Sequence, residues 1–189
     1  ILVMTALPHG VPPLNVAQEQ HWLSKALQPL IDKQQVILAW VQGQSWRDLD
    51  EKLKEEKWHI LHYIGHASDD DTASVGELYM ANQEGELKSQ GAQQLVRLLR
   101  NHPALRLVVL NACESAGMAA ALTSETGLPA ALAMQYEISD DIAIELTRDF
   151  YQALVEGEPL DVAVWRARHA IDQEFPDSLE WGVPVLYMR

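Results

Sequence analysis

The chain has 189 residues, 48% of them hydrophobic, and its 27 acidic and 14 basic side chains give a formal charge of −13. This length suits one domain with a substantial core, and the charge argues against a nucleic-acid surface and favours basic partners or substrates. No apolar run is long enough to span a membrane, the first residues do not predict a signal peptide, and a single cysteine excludes an internal disulfide framework. We therefore expect a soluble protein of the reducing cytoplasm whose thiol stays available.

The N-terminal part of the chain predicts strands and helices in alternation. Residues 1–6 and 36–41 are short apolar runs that predict buried strands. Between them, apolar residues at helical spacing predict a helix that Pro29 is expected to end. Ser45 is expected to cap a second, short helix. The inward-facing residues of these helices are predicted to be Val16, Gln20, Leu23, Leu27, Leu30, Trp46, Leu49 and Leu53.

The middle of the chain predicts a strand, a hairpin and a helix. The strand covers residues 58–65 and ends at His66. Residues 75–80 and 85–87 predict the hairpin, around a turn at residues 82–84, and the helix is marked by Leu95, Leu98 and Leu99. The polar loop before the hairpin holds Asp69, Asp70 and Asp71. We interpret this run as solvated rather than as a metal site, because no partner ligands are spaced around it.

The second half continues the alternation. Residues 105–110 and 130–134 predict two more strands, separated by an alanine-rich helix that ends near residue 126. A helix is expected from about Ser139 to Gly157, and a last helix follows Pro159. Alternating strands and helices imply right-handed crossovers, so we predict an α/β fold with a mainly parallel sheet and helices on both faces, in a single domain over residues 1–189.

The chain's only cysteine directly follows one of these strands. Residues 105–110 lead through Asn111 and Ala112 into Cys113, just as residues 58–65 lead into His66. The interval 113 − 66 = 47 leaves room for one hairpin and one helix between adjacent strands. Because the carboxyl ends of parallel strands meet at one edge of a sheet, these side chains would form a nucleophile and its base.

Each of these residues also has a structural interpretation. Cysteine is among the most buried residue types, so Cys113 alone is also typical of inert core packing. The spacing of His59, His62 and His66 would unite metal ligands on a helix, but here it belongs to a glycine-ended strand. We therefore expect no metal, and His62 is interpreted as a buried structural imidazole.

Other cysteine chemistries fit the sequence less well. A phosphatase loop would need an arginine six positions after the nucleophile, where Ala119 stands. A glutaminase would place its cysteine before the histidine, and here the histidine comes first. No glycine loop that would cradle a phosphate is present, and we expect no cofactor.

Several segments together resemble one family. They are residues 62–66 (HYIGH), 108–116 (VVLNACESA), 133–136 (AMQY) with 139–140 (SD), 163–168 (AVWRAR) and 181–187 (WGVPVLY). In this order, over nearly the whole chain, they resemble the CHAT domain, a caspase-like cysteine peptidase module related to separase and often joined to TPR repeats. The resemblance implies a caspase-like three-layer sandwich with about six strands in its central sheet.

The resemblance also implies roles for individual residues. Cys113 would be the nucleophile, His66 the general acid/base, and the main-chain amides of Cys113 and Ala67 would line the oxyanion hole. The family usually has glycine at the position of Ala67. We therefore predict a cysteine endopeptidase that hydrolyses peptide bonds of a protein substrate, in a setting of bacterial signalling or defence.

A catalytically silent scaffold or binding domain, controlled by a fused sensor or TPR-like region, is the competing interpretation. The chain begins in a strand-like run without an initiator methionine and stops directly after another such run, residues 183–188. We therefore expect an N-terminal region to precede residue 1 in a longer protein.

Substrate specificity is predicted around the end of the strand at residues 130–134. Met134, Gln135 and Tyr136 are expected to continue this strand past the sheet and pair with an extended peptide. The pattern from Tyr136 to Asp140 resembles separase, whose family cuts after arginine. Asp140, with Glu137 behind it, would then bind a basic residue before the cleaved bond. Alternatively, Ser139 caps the following helix, and Asp140 and Asp141 stabilise its N-terminal end.

Overall fold

The computed structural model describes residues 1–68 and 76–189, so the predicted solvated run Asp69, Asp70 and Asp71 lies outside the described residues. The chain falls into two compact units. Unit 1 comprises Ile1–Leu14, Ala39–Glu137 and Val185–Arg189, and unit 2 comprises Asn15–Leu38 and Ile138–Pro184. The single domain expected from the sequence stays a prediction. Among the described residues, every helix is too short or too polar to cross a lipid bilayer.

The described strands form two sheets. The strands are β1 (Leu2–Ala6), β2 (Ala39–Trp40), β3 (Ile60–Gly65), β4 (Ala67–Ser68), β5 (Glu77–Ala81), β6 (Leu87–Gly91), β7 (Leu107–Asn111), β8 (Ala130–Met134) and β9 (Pro184–Met188). The larger sheet has six strands in the order β2-β1-β3-β7-β8-β9. Its pairs β1/β2, β1/β3, β3/β7 and β7/β8 are all parallel. This confirms the predicted α/β fold with a mainly parallel sheet of about six strands.

The inner strands of this sheet are buried on both faces. Every residue of β7 and β8 is buried, which explains why these strands appear in the sequence as continuous apolar runs rather than as an alternating pattern. Unit 1 also contains the helices α2 (Trp46–Glu55), α3 (Ala92–Leu99) and α4 (Ala116–Thr126). The helices and the sheet share one core, which includes Leu49, Leu53, Leu95, Leu122, Leu61, Val108 and Ala131.

Ser45 begins α2 as predicted. Its side chain accepts a hydrogen bond from the Asp48 N–H, and the Asp48 carboxylate accepts one from the Ser45 N–H at 2.8 Å, forming a capping box. The predicted inward positions Leu49 and Leu53 are both buried. Because the cap satisfies two N–H groups at the helix start, a helix of only ten residues is stable here.

The smaller sheet is antiparallel, in the order β4-β5-β6. It confirms the predicted hairpin with shifted bounds: the first strand is Glu77–Ala81 rather than residues 75–80, of which Val75 lies outside the described residues, and the second is Leu87–Gly91 rather than residues 85–87. Gly85 belongs to the turn instead, because the Asn82 carbonyl accepts a hydrogen bond from the Gly85 N–H and Gly85 has a φ of 80°. The two-residue strand β4 was not predicted, since so short a segment has no periodicity to reveal it.

Two predicted boundaries were wrong. The strand expected at residues 36–41 is only Ala39–Trp40, because β2 is an edge strand that pairs with β1 through two residues. The helix expected to end at Pro29 continues as α1 (Val16–Asp32). A proline so near the end of a helix removes one hydrogen bond of the last turns. The Gln28 Nε2 donates to Asp32 Oδ1 at 2.6 Å and links residues on either side of it.

Unit 2 contains the helices α1, α5 (Asp140–Val155) and α6 (Leu160–Glu174). Helix α5 ends before Gly157, which has a φ of 88°, as the sequence predicted. The buried positions of the three helices recur at helical spacing and form the core of the unit. They include Leu23, Leu27, Ile142, Ala143, Leu146, Phe150, Ala163, Ala167 and Ile171.

Candidate active site

The two residues of the predicted dyad follow adjacent parallel strands. Strand β3 pairs with β7 from Ile60↔Leu107 to Ile64↔Asn111, an offset of 111 − 64 = 47 residues. His66 and Cys113 differ by the same 47, so each lies two residues beyond the paired segment, at the same edge of the sheet. Both residues are half-buried. The hairpin and α3 occupy the interval between the strands, as expected from its length.

The imidazole of His66 is oriented by a main-chain carbonyl. Its Nε2 lies 2.8 Å from the carbonyl oxygen of Pro12. A carbonyl can only accept a hydrogen bond, so Nε2 carries the proton of the neutral ring and Nδ1 is the basic nitrogen. The geometry therefore selects the tautomer that a general base at Nδ1 requires.

Pro12 lies in the loop that follows β1, and this loop is attached at two other points. The Leu7 N–H donates to Gln44 Oε1 at 2.6 Å, and the His9 N–H donates to the Gly85 carbonyl at 2.8 Å. Sequence reasoning missed Pro12, because every residue has a carbonyl and none is distinguished by its type. Only the pairing of Ala6 with Gly65 shows that the loop after β1 starts beside His66.

The backbone at His66 is held by two tyrosines. The His66 carbonyl accepts a hydrogen bond from the Tyr79 N–H at 2.9 Å. The hydroxyl of buried Tyr63 lies 2.5 Å from the Tyr79 carbonyl and 3.2 Å from the His66 carbonyl. Burial raises the pKa of Tyr63, so this hydroxyl stays a donor. A Cβ at Gly65 would stand 2.5 Å from the Tyr63 hydroxyl, so only glycine leaves room for it.

A strained turn follows Cys113. Glu114 has a φ of 54°, in the left-handed region that side chains other than glycine seldom adopt and that is often found at functional sites. Its N–H donates to the Tyr136 carbonyl at 3.4 Å. Ser115, which is buried, precedes α4 as its N-cap. The turn therefore connects the rigid strand β7 to α4, and Cys113 lies at the start of the turn.

The predicted oxyanion donor Ala67 lies in β4, whose extended backbone any residue adopts. Alanine in place of the family's usual glycine therefore costs no backbone strain. In this antiparallel ladder the hydrogen bond from the Tyr79 N–H to the His66 carbonyl marks a hydrogen-bonded pair. The next pair, Ala67↔Leu78, is therefore a non-hydrogen-bonded pair. The Ala67 N–H consequently points away from β5.

The predicted substrate-binding residues fall into both units. In unit 1, β8 ends at buried Met134, so Gln135 and Tyr136 do not continue it as expected. The backbone bends there, and the Tyr136 carbonyl accepts from the Glu114 N–H instead of pairing in the sheet. Gln135, Tyr136 and Glu137 are exposed. Their role in binding substrate stays a prediction.

In unit 2, Asp140 is the first residue of α5, and its Oδ2 accepts a hydrogen bond from the Asn15 N–H at 2.7 Å. Ser139 is the N-cap residue as predicted, but its side chain makes no capping bond. Its N–H donates to Glu180 Oε2 at 2.6 Å. Within the described ranges, no cluster of His, Cys, Asp or Glu side chains is arranged to hold a metal ion.

Comparison with known proteins identifies one family. The model of the CHAT domain matches residues 7–186, nearly the whole chain. No curated protein matches the chain. The family match covers both strand ends that carry His66 and Cys113.

Proposed function

The chain belongs to the CHAT domain family, a family of caspase-like cysteine peptidases, and from this premise we propose that it is a cysteine endopeptidase acting through His66 and Cys113. One observation carries the proposal. The offset of 47 residues between β3 and β7 is also the interval from His66 to Cys113, which brings base and thiol to the same edge of the sheet. A dyad needs such proximity before any chemistry.

The proposed reaction begins when Nδ1 of His66 takes the proton from the Cys113 thiol. The sulfur then attacks the scissile carbonyl carbon, and the N–H groups of Ala67 and Cys113 stabilise the oxyanion. His66 returns its proton to the leaving amine as the C–N bond breaks and a thioester remains. Water, deprotonated by His66, attacks the thioester. The C–S bond then breaks, and His66 returns the proton to the sulfur, which releases the acid product and restores the thiol.

For the substrate, we propose a polypeptide with a basic residue before the cleaved bond. The acidity of the chain, with its formal charge of −13, supports a basic substrate. Asp140 is the first candidate for the carboxylate partner and Glu137 the second, since a carboxylate binds a guanidinium through charge-assisted hydrogen bonds. A role in bacterial signalling or defence, under a fused sensor or TPR-like region, belongs to the same proposal.

The test compares the wild type with Cys113→Ala, His66→Ala and the control His59→Ala in cleavage of a peptide library. His59 is an exposed histidine that precedes β3. We expect no cleavage by Cys113→Ala, a loss on the order of 10² to 10⁴-fold in His66→Ala, and wild-type rates in the control. Retained cleavage by Cys113→Ala would overturn the mechanism.

Alkylation of the thiol separates the enzyme from the silent scaffold. Cys113 is the only cysteine, so iodoacetamide reports on this site alone. An active dyad should make the thiol react faster than free cysteine near pH 7, and His66→Ala should remove the difference. A thiol that is equally slow in the wild type and His66→Ala would favour the scaffold.

A further inference from the structure

Each member of the dyad is accompanied by a buried hydroxyl whose partners, among the described residues, are main-chain groups. Tyr63 lies three residues before His66 and is 2% exposed, and Ser115 lies two residues after Cys113 and is 1% exposed. We propose that Tyr63 and Ser115 are the positioning residues of the dyad, each locking the backbone segment that carries one catalytic side chain. This inference rests on the proposed peptidase function.

The Tyr63 hydroxyl closes a ring of hydrogen bonds around His66. Its single proton is shared between the Tyr79 carbonyl at 2.5 Å and the His66 carbonyl at 3.2 Å. The Tyr79 N–H donates to the same His66 carbonyl at 2.9 Å. The ring ties the end of β3 to β5, so the peptide that leads out of His66 cannot rotate without breaking a part-buried hydrogen bond.

The lack of space around Gly65 indicates that the Tyr63 hydroxyl occupies a defined position. A Cβ on Gly65 would stand 2.5 Å from the Tyr63 oxygen and 2.7 Å from the Ala6 carbonyl. Gly65 has no positive φ, so conformation does not require glycine there. The residue directly before His66 is therefore limited to glycine by space, part of which the hydroxyl occupies.

The Ser115 hydroxyl makes the corresponding connection on the other side of the site. Its proton is shared between the Ala112 carbonyl at 2.8 Å and the Leu110 carbonyl at 3.2 Å. Its oxygen accepts from the Met134 N–H at 3.1 Å. One side chain thus joins the end of β7 to the end of β8.

This connection brackets the nucleophile. Ala112 precedes Cys113 directly, and Ser115 follows it by two residues, so the hydroxyl bridges the two sides of the turn. Glu114 within the bridge has the left-handed φ of 54°. A conformation of this kind persists only when its surroundings hold it, and the three bonds of Ser115 do so.

Another buried hydroxyl in the same unit provides a contrast. Thr123 is 7% exposed, and in the part of the chain that the structure describes its Oγ1 donates to the Ala119 and Ala120 carbonyls of its own helix. It connects no strand end, so its loss should affect stability without moving either catalytic residue. Thr123→Val is therefore the matched control for Ser115→Ala, and Tyr151→Phe, which changes a fully buried tyrosine of unit 2, is the control for Tyr63→Phe.

The experiment measures kcat and KM on a cleaved library peptide, the pH profile of iodoacetamide alkylation, and urea stability for the full chain. A displacement of about 1 Å at a reacting group can cost on the order of 10²-fold in rate. We expect kcat to fall about 10²-fold in Ser115→Ala and about 10-fold in Tyr63→Phe, with KM changed by less than about twofold. The pH profile should shift in both variants. Ser115→Thr, which keeps the hydroxyl, should recover most of the rate.

Both controls should keep kcat and the pH profile of the wild type even where their stability falls. Equal kcat values and pH profiles in Ser115→Ala, Tyr63→Phe and the controls would overturn the inference. If Ser115→Ala fails to fold, the isosteric Tyr63→Phe decides the question alone. Alkylation that His66→Ala leaves unchanged would contradict the proposed function itself, whereas an intact dyad with unaffected variants contradicts only the positioning roles.

Discussion

Unit 1 and unit 2 bury polar groups with different partners. In unit 1, the hydroxyls of Tyr63 and Ser115 bind main-chain atoms beside the candidate catalytic residues. In unit 2, buried Glu19 accepts from the Thr147 hydroxyl at 2.8 Å, and buried Glu145 pairs with Arg148. Bonds to the main chain fix a backbone path, whereas the side-chain bond from Thr147 to Glu19 joins α5 to α1, and Glu145 is a titratable group that responds to pH. We therefore expect substitutions in unit 1 to affect the chemistry first, and those in unit 2 to affect stability first.

The largest effect is expected at Gly65. In Gly65→Ala the new Cβ would stand 2.7 Å from the Ala6 carbonyl and would displace the Tyr63 hydroxyl. We expect a loss of about 3 kcal/mol in the free energy of unfolding, because a main-chain carbonyl cannot give way cheaply. The folded fraction should also lose activity, since the backbone before His66 moves. Urea unfolding and kcat for the folded protein measure the two effects.

Gly182→Ala in unit 2 is the matched control. Gly182 has no positive φ, and a methyl group added to its Cα would have no neighbouring atom within 4 Å. Its free energy of unfolding should change by no more than about 0.5 kcal/mol and its kcat should not change. Similar losses in both variants would show that the site depends on general stability rather than on the space beside His66.

The next effect is a pH dependence of stability in unit 2. Burial, followed by a hydrogen bond with Asp149, raises the pKa of Glu145 from its ordinary 4.5 to about 7, although Arg148 opposes the shift. The native state therefore holds this proton up to a higher pH than the unfolded state. The contribution is fully present below about pH 4.5 and is lost as the pH rises through about 7. Between these pH values the free energy of unfolding should fall by at most about 1.4 kcal/mol per pH unit.

Glu145→Gln isolates this contribution, because it removes the titrating group and keeps the side-chain volume. The free energy of unfolding, measured in urea from pH 4 to pH 8, should fall more steeply with pH in the wild type than in the variant. Equal slopes would contradict the pKa of Glu145 and weaken the contrast between the units. The kcat of the variant at a fixed pH should stay at the wild-type value.

The smallest effect concerns the two acidic residues at the start of α5. Asp140 accepts from the Asn15 N–H, whereas Asp141 is exposed. Asp140→Asn should therefore cost about 1 kcal/mol of unfolding free energy and Asp141→Asn about half of that. If Asp140 also binds substrate, its variant lowers kcat/KM for peptides with a basic residue before the cut far more than for neutral ones. Equal losses for both peptides would assign Asp140 to the helix alone.

Predictions from the sequence were most accurate for segments whose apolar pattern alone identifies them as buried strands. The apolar run at residues 130–134 is β8 to the residue, because a strand buried on both faces leaves a continuous apolar signal. Predictions from the sequence were wrong at strand ends that depend on a partner elsewhere in the chain. Strand β2 is an edge strand that pairs with β1 through two residues, and Gln135 and Tyr136 leave the sheet where the Tyr136 carbonyl accepts from the Glu114 N–H.

The amino-acid sequence alone determined the α/β class, the strands that lead to His66 and Cys113, and the interval of 47 residues between them, because these follow from periodicity and counting. The tertiary structure decided that β3 and β7 are neighbours with this same offset. It also decided that the Pro12 carbonyl orients the imidazole and that Tyr63 and Ser115 hold the backbone on each side. The hydrogen-bond partners of His66, Tyr63 and Ser115 are main-chain atoms, which every residue has. No residue type in the sequence therefore identifies them, and only the folded backbone brings them within hydrogen-bond distance.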